Sequence, residues 1–458
     1  MLWASIIVYL TILFGVSYFA KGKSSNDDFF IGGRRSPWWA VAIGMVGASI
    51  SGVTFVSVPG WVSSTGFTYL QMVMGFVVGY FLIAFVLLPI YYEKRVDSIY
   101  AILERSLGRT GRKTASLCFV FNKLVTTAVK HFVVVLSLYK IVFESLGVPF
   151  SIVALSTILV AWLYSFNSGI RTIVWTDFLQ TILLSTTLVV LLYYAFERVD
   201  TTWMDSLPTV FCFEWESKQN FFKQFVSGAF VVLVMTGMDQ DLMQKNLSCK
   251  SLKEAQKNMI TYGFLFLPLN FLLLLLGFLL APYCSATGDS MLPSFCNGVG
   301  GVTMICFVIG MLASSFTSVD SAMTSVTTSV LKDICDVKDV SRGKRVVTHL
   351  SVATILFLLV LSLGFSAGNT AIDVVYIFVS YLYGPVLGLF AFALFSQRVV
   401  ESHAGYIPFV ALFSVLLSHV TKILLADYYA MGYELLLLNG LFMWTGLLLI
   451  SQNRPHTN

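Results

Sequence analysis

Charge is scarce in this chain. Of its 458 residues only 12 % are Asp, Glu, Lys or Arg, while 57 % are apolar. A soluble domain carries about 25 % charged residues, so a water-facing globule is excluded and lipid must be the solvent for most of the surface. Histidine is rarer still. The five present (His131, His349, His403, His419 and His456) are dispersed, and neither HExxH nor GxSxG occurs. Hydrolytic chemistry of those kinds has no residues to run on. Gly288-Asp289-Ser290-Met291 is faintly lipase-like, but it falls in an expected outer loop without partners. An enzyme is not expected. The seven cysteines lack CxxC and Cys/His metal spacing. Cys212, Cys284 and Cys296 fall on the expected outer face, where one disulfide could form. A net charge of +5 arises from basic residues spread over short loops, which marks topology and not a nucleic-acid partner.

What the chain has in abundance is long apolar runs. Thirteen are long enough to cross the ~30 Å hydrocarbon layer: 2–20, 37–62, 69–92, 114–143, 149–167, 171–196, 222–244, 257–283, 299–331, 346–366, 370–396, 405–425 and 433–451. They leave no stretch for a soluble domain, so 1–458 reads as one all-α membrane unit. The first run has no basic n-region and no A-x-A-like cleavage site, so it is expected to be a retained span and not a signal peptide. Twenty-two of the 29 Lys and Arg fall in the loops of one side, among them Lys23, Lys245 and Arg454. Three fall on the other side (Arg198, Lys218, Lys223) and four within runs (Lys123, Lys130, Lys140, Lys422). This asymmetry predicts an outer N-terminus and a cytoplasmic C-terminus in the plasma (inner) membrane.

Polar groups inside such runs are costly and therefore informative: a charge at mid-bilayer costs at least ~2.5–3.5 kcal/mol. Four clusters stand out. In the second run, Gly44, Gly47 and Gly52 gather with Ser49 and Ser51 ahead of Pro59. Such a cluster is either a small-residue packing face or a helix break that frees carbonyls beside a cavity. In the ninth, eleven of the eighteen residues from Ala313 to Val330 are Ser, Thr or Asp. They recur at i, i+3 and i+4, and such an oxygen-rich face suits a hard cation. In the sixth, Asp177 needs a cation, a proton or a hydrogen-bonding neighbour, with Arg171 as one candidate partner. In the seventh, Asp239, Gln240 and Asp241 follow Gly237; they form either the contact surface of a broken helix or a solvated helix end. Lys123 and Lys130, two turns apart in the fourth run, face either an anionic solute or acids on neighbouring helices.

ISGVTFVSVPG in the second run, VWTDFLQ in the sixth, DQDLMQKNL in the seventh and TSVDSAMTS…LKDI in the ninth occur in an order that resembles the sodium:solute symporter family. The resemblance spans nearly the whole chain and implies a leucine-transporter-type core of two inverted five-helix repeats. The first repeat would be 37–196 and the second 222–397, with the extra first helix and its loop in 1–36. Residues 398–458 would hold two more helices and a short cytoplasmic tail. Each repeat would open on a discontinuous helix, near Gly47–Gly52 and Gly237–Gln240.

The same resemblance implies Na+ as coupling ion. Its ligands would be the carbonyls of Gly47, Ile50 and Ser314 with the hydroxyls of Thr317 and Ser318; a three-residue slip in alignment would choose Ser314 and Ser315 instead. A second cation or proton site would use Asp177, Thr317, Asp320 and Ser321, with Asp320 standing where some members have a hydroxyl. Sugar carriers have Asn and Tyr where this chain has Asp239 and Asp241, which argues against a sugar pocket of that kind. Ser51, Thr54, Lys123, Asp239, Gln240 and Asp241 are the candidate solute contacts. The expected function is sodium-driven import of a small organic solute or anion by alternating access. The alternatives are proton coupling on the same fold and, more distantly, a channel or a membrane enzyme. The solute and the oligomeric state are not legible.

Overall fold

The computed structural model describes residues 1–21, 25–166, 169–198, 208–284, 286–364, 371–401, 403–429 and 431–453. Lys23, Arg454 and the ends of three expected spans (167, 365–366 and 370) lie outside them, as does the tail from 454. Among the described residues the structure is helical apart from one short antiparallel pairing, Arg398–Val399 with Gln452–Asn453.

Lipid sets the pattern of burial. Helix α17 (Ile407–Leu424) turns Phe409, Leu412, Phe413, Leu416 and Ile423 outward, and α1 (Leu2–Ala20) does the same with Ile7, Val8 and Ile12. The middle of the molecule instead holds Asp177, Asp320, Gln240, Gln244 and Lys245, all 1 % exposed or less. A water-soluble protein would reverse that distribution.

Among the described residues, nine helices are long and apolar enough to cross a membrane, or eleven if each of two sharply bent pairs counts as one. The other two expected spans coincide with α8 (Phe150–Ser165) and α18 (Leu435–Ile450). Each has 16 residues, about 24 Å at 1.5 Å per residue, short of a full crossing. Thirteen is thus a count of apolar runs and eleven a count of full-length spans.

The two bent pairs are α3 (Trp38–Ser49) with α4 (Gly52–Thr65), which meet at 60°, and α10 (Phe221–Val232) with α11 (Gln240–Asn246), which meet at 69°. They open the two halves, as a duplicated, inverted architecture requires. Helices α5 (Tyr69–Leu82), α7 (Glu104–Leu138), α8 and α9 (Ile170–Phe196) complete the first half. In the second, α12 (Leu252–Leu280), α14 (Gly301–Ser329), α15 (Arg342–Leu363) and α16 (Ala371–Phe395) follow. Helix α3 packs on α9, and α9 on α14. These contacts bring the first break against the hydroxyl-rich helix.

Glycine makes that approach possible. A Cβ at Gly47 would collide with the Thr181 side chain of α9. One turn earlier, a Cβ at Gly44 would press on Asp177 at 3.0 Å.

The expected cytoplasmic side carries a seal. Arg112 of α7 reaches Asp333 at 2.9 Å and Glu104 at 3.0 Å, and its guanidinium donates to the Lys332 carbonyl at 2.8 Å. Ser98 donates to the same Asp333 at 2.6 Å. A short helix, Asn26–Ile31, buries Phe29 and Phe30 nearby. Its Asp28 pairs with Arg171 at 3.1 Å. Burial would raise the Asp28 carboxyl, but hydrogen bonds from Arg171 and Ser25 outweigh it and hold it below the usual carboxylate range. Arg171 is therefore occupied by Asp28, and Asp177 finds another partner. All seven cysteines are free, so Cys212, Cys284 and Cys296 form no disulfide.

Candidate functional site

Helix α3 stops because Ile50 leaves the helical region (φ −81°, ψ 79°) and Ser51 restarts the chain as the N-cap of α4, its hydroxyl accepting from the Thr54 N–H at 3.4 Å. A helix end leaves its last carbonyls without ladder partners. Here one of them, Gly47 O, points at α14 and lies 3.5 Å from the Thr317 hydroxyl. That hydroxyl also donates to the Ser314 carbonyl at 2.9 Å, and Ser318 donates to the same carbonyl at 3.3 Å.

Four oxygens thus converge, two carbonyls and two hydroxyls, and the Thr317 hydroxyl stands between the Gly47 and Ser314 carbonyls as the donor to either. Such a group of neutral oxygens suits a monovalent cation. Four of the five expected ligands thus meet around the break, and Ile50 forms the cap of the same turn. Lower on α14, the hydroxyls of Ser325, Thr327 and Thr328 return to carbonyls of their own helix. The oxygen-rich face is therefore not an open path along its whole length.

The second break is built differently. A π-helical turn, Leu233–Gly237, ends the first half, and Asp239 caps α11 by accepting from the Asp241 N–H at 2.7 Å. Its free carbonyls are already satisfied: Tyr91 donates to Gly237 O at 2.7 Å and Tyr100 to Met238 O at 3.0 Å. Both aspartates are buried, so this is not a solvated helix end. Lys123 of α7 reaches Asp241 at 2.6 Å and Asp239 at 3.4 Å, while Tyr383 donates to Asp239 at 2.6 Å.

Between the breaks lies a cavity. Ser49, Thr54, Tyr80, Lys123, Lys130, Asp239, Asp241, Tyr262 and Tyr383 supply its polar groups, and Phe76, Val231 and Phe266 part of its apolar wall. Tyr262 joins its two flanks, with its hydroxyl 2.5 Å from Ser49 and 2.9 Å from Tyr80. Of the expected solute contacts, Thr54, Lys123, Asp239 and Asp241 line the cavity. Ser51 is spent on its capping role. Gln240 turns away, accepting from the Ile99 N–H at 2.9 Å and donating to the Asp97 carbonyl at 3.1 Å.

Asp177 and Asp320 are both fully buried near the cation ligands. Asp177 does not pair with Arg171. Its partner is Lys245 of α11, whose ammonium stands 2.7 Å away and is 1 % exposed. Counted among the loop cations, Lys245 lies instead at the centre of the protein. The signal that marks it is local: it follows Asp241 by four residues, which places both on one helical face. The aromatic residues Tyr262, Tyr383, Tyr91 and Tyr100 had no comparable mark, because a tyrosine in an apolar run is unremarkable until its hydroxyl finds a partner.

A sequence profile of the sodium:solute symporter family matches residues 29–406. The chain is 25 % identical over 350 residues to the sodium/sialic acid symporter SiaT of Proteus mirabilis, covering 70 % of this chain and 68 % of that protein. It is 26 % identical over 373 residues to a sodium/glucose cotransporter of Vibrio parahaemolyticus, covering 71 % and 68 %. A Na+-coupled sialic acid symporter solved in a substrate-bound outward-open state has the same fold, with a TM-score of 0.81 at 20 % identity over 97 % of this chain and 96 % of that one. The transporter MHP1 in a closed conformation superimposes with a TM-score of 0.60 at 16 % identity, over 94 % of each chain.

Proposed function

The chain belongs to the sodium:solute symporter family, and from that premise we propose that it imports a small carboxylate-bearing organic solute by binding one sodium between α3 and α14. The observation that carries the ion site is the convergence of Gly47 O, Ser314 O, Thr317 and Ser318 at the break of α3. Sodium there ties the broken helix to α14 and completes the adjoining wall of the cavity, to which Ser49 and Thr54 contribute. Rocking of the bundle then exposes both ligands to the cytoplasm, where low sodium favours release.

The solute class follows from charge. Lys123 is neutralised by Asp241 and Asp239. Lys130 also lines the cavity, and among the described residues no carboxylate stands within bridging distance of it. A half-buried ammonium facing a cavity is stabilised by a counter-charge, and a solute carboxylate supplies one. Relatives of this chain include carriers of sialic acid and of monocarboxylates, both carboxylates. The surrounding Ser49, Thr54, Tyr262 and Tyr383 would hold the solute's hydroxyl and amide groups.

The cavity shares Tyr69 with an outer hollow bounded by Trp61, Gln219, Gln224 and Tyr433. The opposite end carries the Arg112–Asp333 seal. This arrangement supports an outward-facing state, with the solute entering past Tyr69.

The test is uptake into proteoliposomes with sodium and pH gradients imposed separately, using sialic acid, a short monocarboxylate and glucose. Sodium-dependent accumulation of a carboxylate, lost in Lys130→Met, is expected. Uptake that ignores sodium and follows pH would replace sodium by a proton. Uptake of glucose alone would remove the carboxylate assignment.

A further inference from the structure

Five charges alternate in sign from the cavity into the protein's centre. Asp239 and Asp241 hold Lys123 at 3.4 Å and 2.6 Å. Asp241 faces Lys245 at 3.9 Å, and Lys245 faces Asp177 at 2.7 Å. The string ends at Asp177 on α9, and Asp320, fully buried on the adjoining α14, stands beyond bridging distance of Lys245.

That end point is where the family resemblance would put a second cation, among Asp177, Thr317, Asp320 and Ser321. The residues present do not fit a second sodium. A side-chain ammonium already stands at contact distance from Asp177, it is 1 % exposed, and it is tethered to the broken helix α11. An additional cation would have to lie beside that positive charge in a buried, poorly screening setting. Nor can the ammonium leave, since burial without its partners is costly.

Resting on the symporter reading above, we propose that Lys245 is a built-in cation that occupies the second ion position, so that this carrier binds one sodium per chain where Asp177 and Asp320 alone would invite another. Lys245 is a positioning residue in this role. Its ammonium bridges α11 to α9 and, through Asp241 and Lys123, links the centre to the cavity. The ammonium cannot be released to the cytoplasm, so it adds nothing to the ion gradient spent per cycle.

Equilibrium binding of ²²Na+ to purified full-length protein, with choline as the replacement cation, reads the site count directly. The wild type is expected to bind one sodium per chain with a Hill coefficient near one. Lys245→Ala is expected to bind two, with methylammonium displacing one of them. Should Lys245→Ala fail to fold, Lys245→Ala/Asp177→Asn removes both members of the pair and is expected to return to one. Two sodiums on the wild type, or no gained site in a folded Lys245→Ala, would overturn the inference and leave the sodium symporter reading intact. No sodium bound by the wild type would overturn that reading itself.

Discussion

At the residue scale, the proposed ion site depends on neutral oxygens rather than on charge. The Thr317 hydroxyl stands between the Ser314 and Gly47 carbonyls, at 2.9 Å and 3.5 Å. Thr317→Ala removes one ligand while leaving the helices in place. A charge-assisted contact of this kind is worth about 1.5–3 kcal/mol, so the sodium half-saturation of uptake should rise on the order of tenfold or more. An unchanged sodium dependence would take the hydroxyl out of the ion's shell. Gly47, Thr317 and Ser318 stand out in the sequence only through the family resemblance, because clustered glycine and hydroxyl residues at mid-bilayer serve helix packing equally well. Lys245 does not stand out, since a lysine near the end of an apolar run has the same appearance as a topology residue. Only the fold distinguishes them, by bending α11 back under the cavity.

At the scale of the element, the two breaks divide the work. Helix α3 touches α9 so closely that Gly47 has no room for a side chain. Gly47→Val should therefore abolish uptake by pushing α3 off Thr181, and Gly47→Ala/Thr181→Gly should recover part of it. Measuring surface expression and uptake together separates misfolding from lost transport; full uptake by Gly47→Val would refute the close-packing argument. Glycine beside polar residues marks both places in the sequence, but only the family resemblance turns them into breaks. The bends of 60° and 69° were not legible, because they depend on the Ile50 and Met238 backbone conformations. Neither residue type demands those conformations. The short helix Asn26–Ile31 was also missed: six residues are too few for a period to emerge.

At the scale of the molecule, one sodium moving through ~100 mV and a tenfold gradient releases about 2.3 + 1.4 kcal/mol. A carboxylate entering with it cancels the charge moved, so the chemical gradient alone drives accumulation, about tenfold for one sodium. Coupling requires that the two sides never open together, and the inner seal converges on Arg112. Arg112→Gln leaves Asp333 and Glu104 without their shared cation, so it should loosen the cytoplasmic end and speed exchange of preloaded solute relative to net uptake. An unaltered ratio of exchange to net uptake would show that the seal lies elsewhere. The all-helical membrane class was plain from composition alone, whereas the span count was not. Apolar runs and full-length helices part company at α8 and α18, whose 16 residues are enough to be counted in the sequence yet too short to cross unaided.

The tyrosines at the second break set the direction of the whole device. Tyr91 and Tyr100 prop the Gly237 and Met238 carbonyls permanently, so that hinge keeps its shape whatever the salt outside. Its counterpart at Gly47 has only the longer 3.5 Å contact from Thr317, and in the proposed mechanism it stiffens when sodium arrives. A machine with one hinge held by its own side chains and the other by its fuel would act as a ratchet: thermal rocking supplies the motion, and the looser hinge decides which strokes carry cargo.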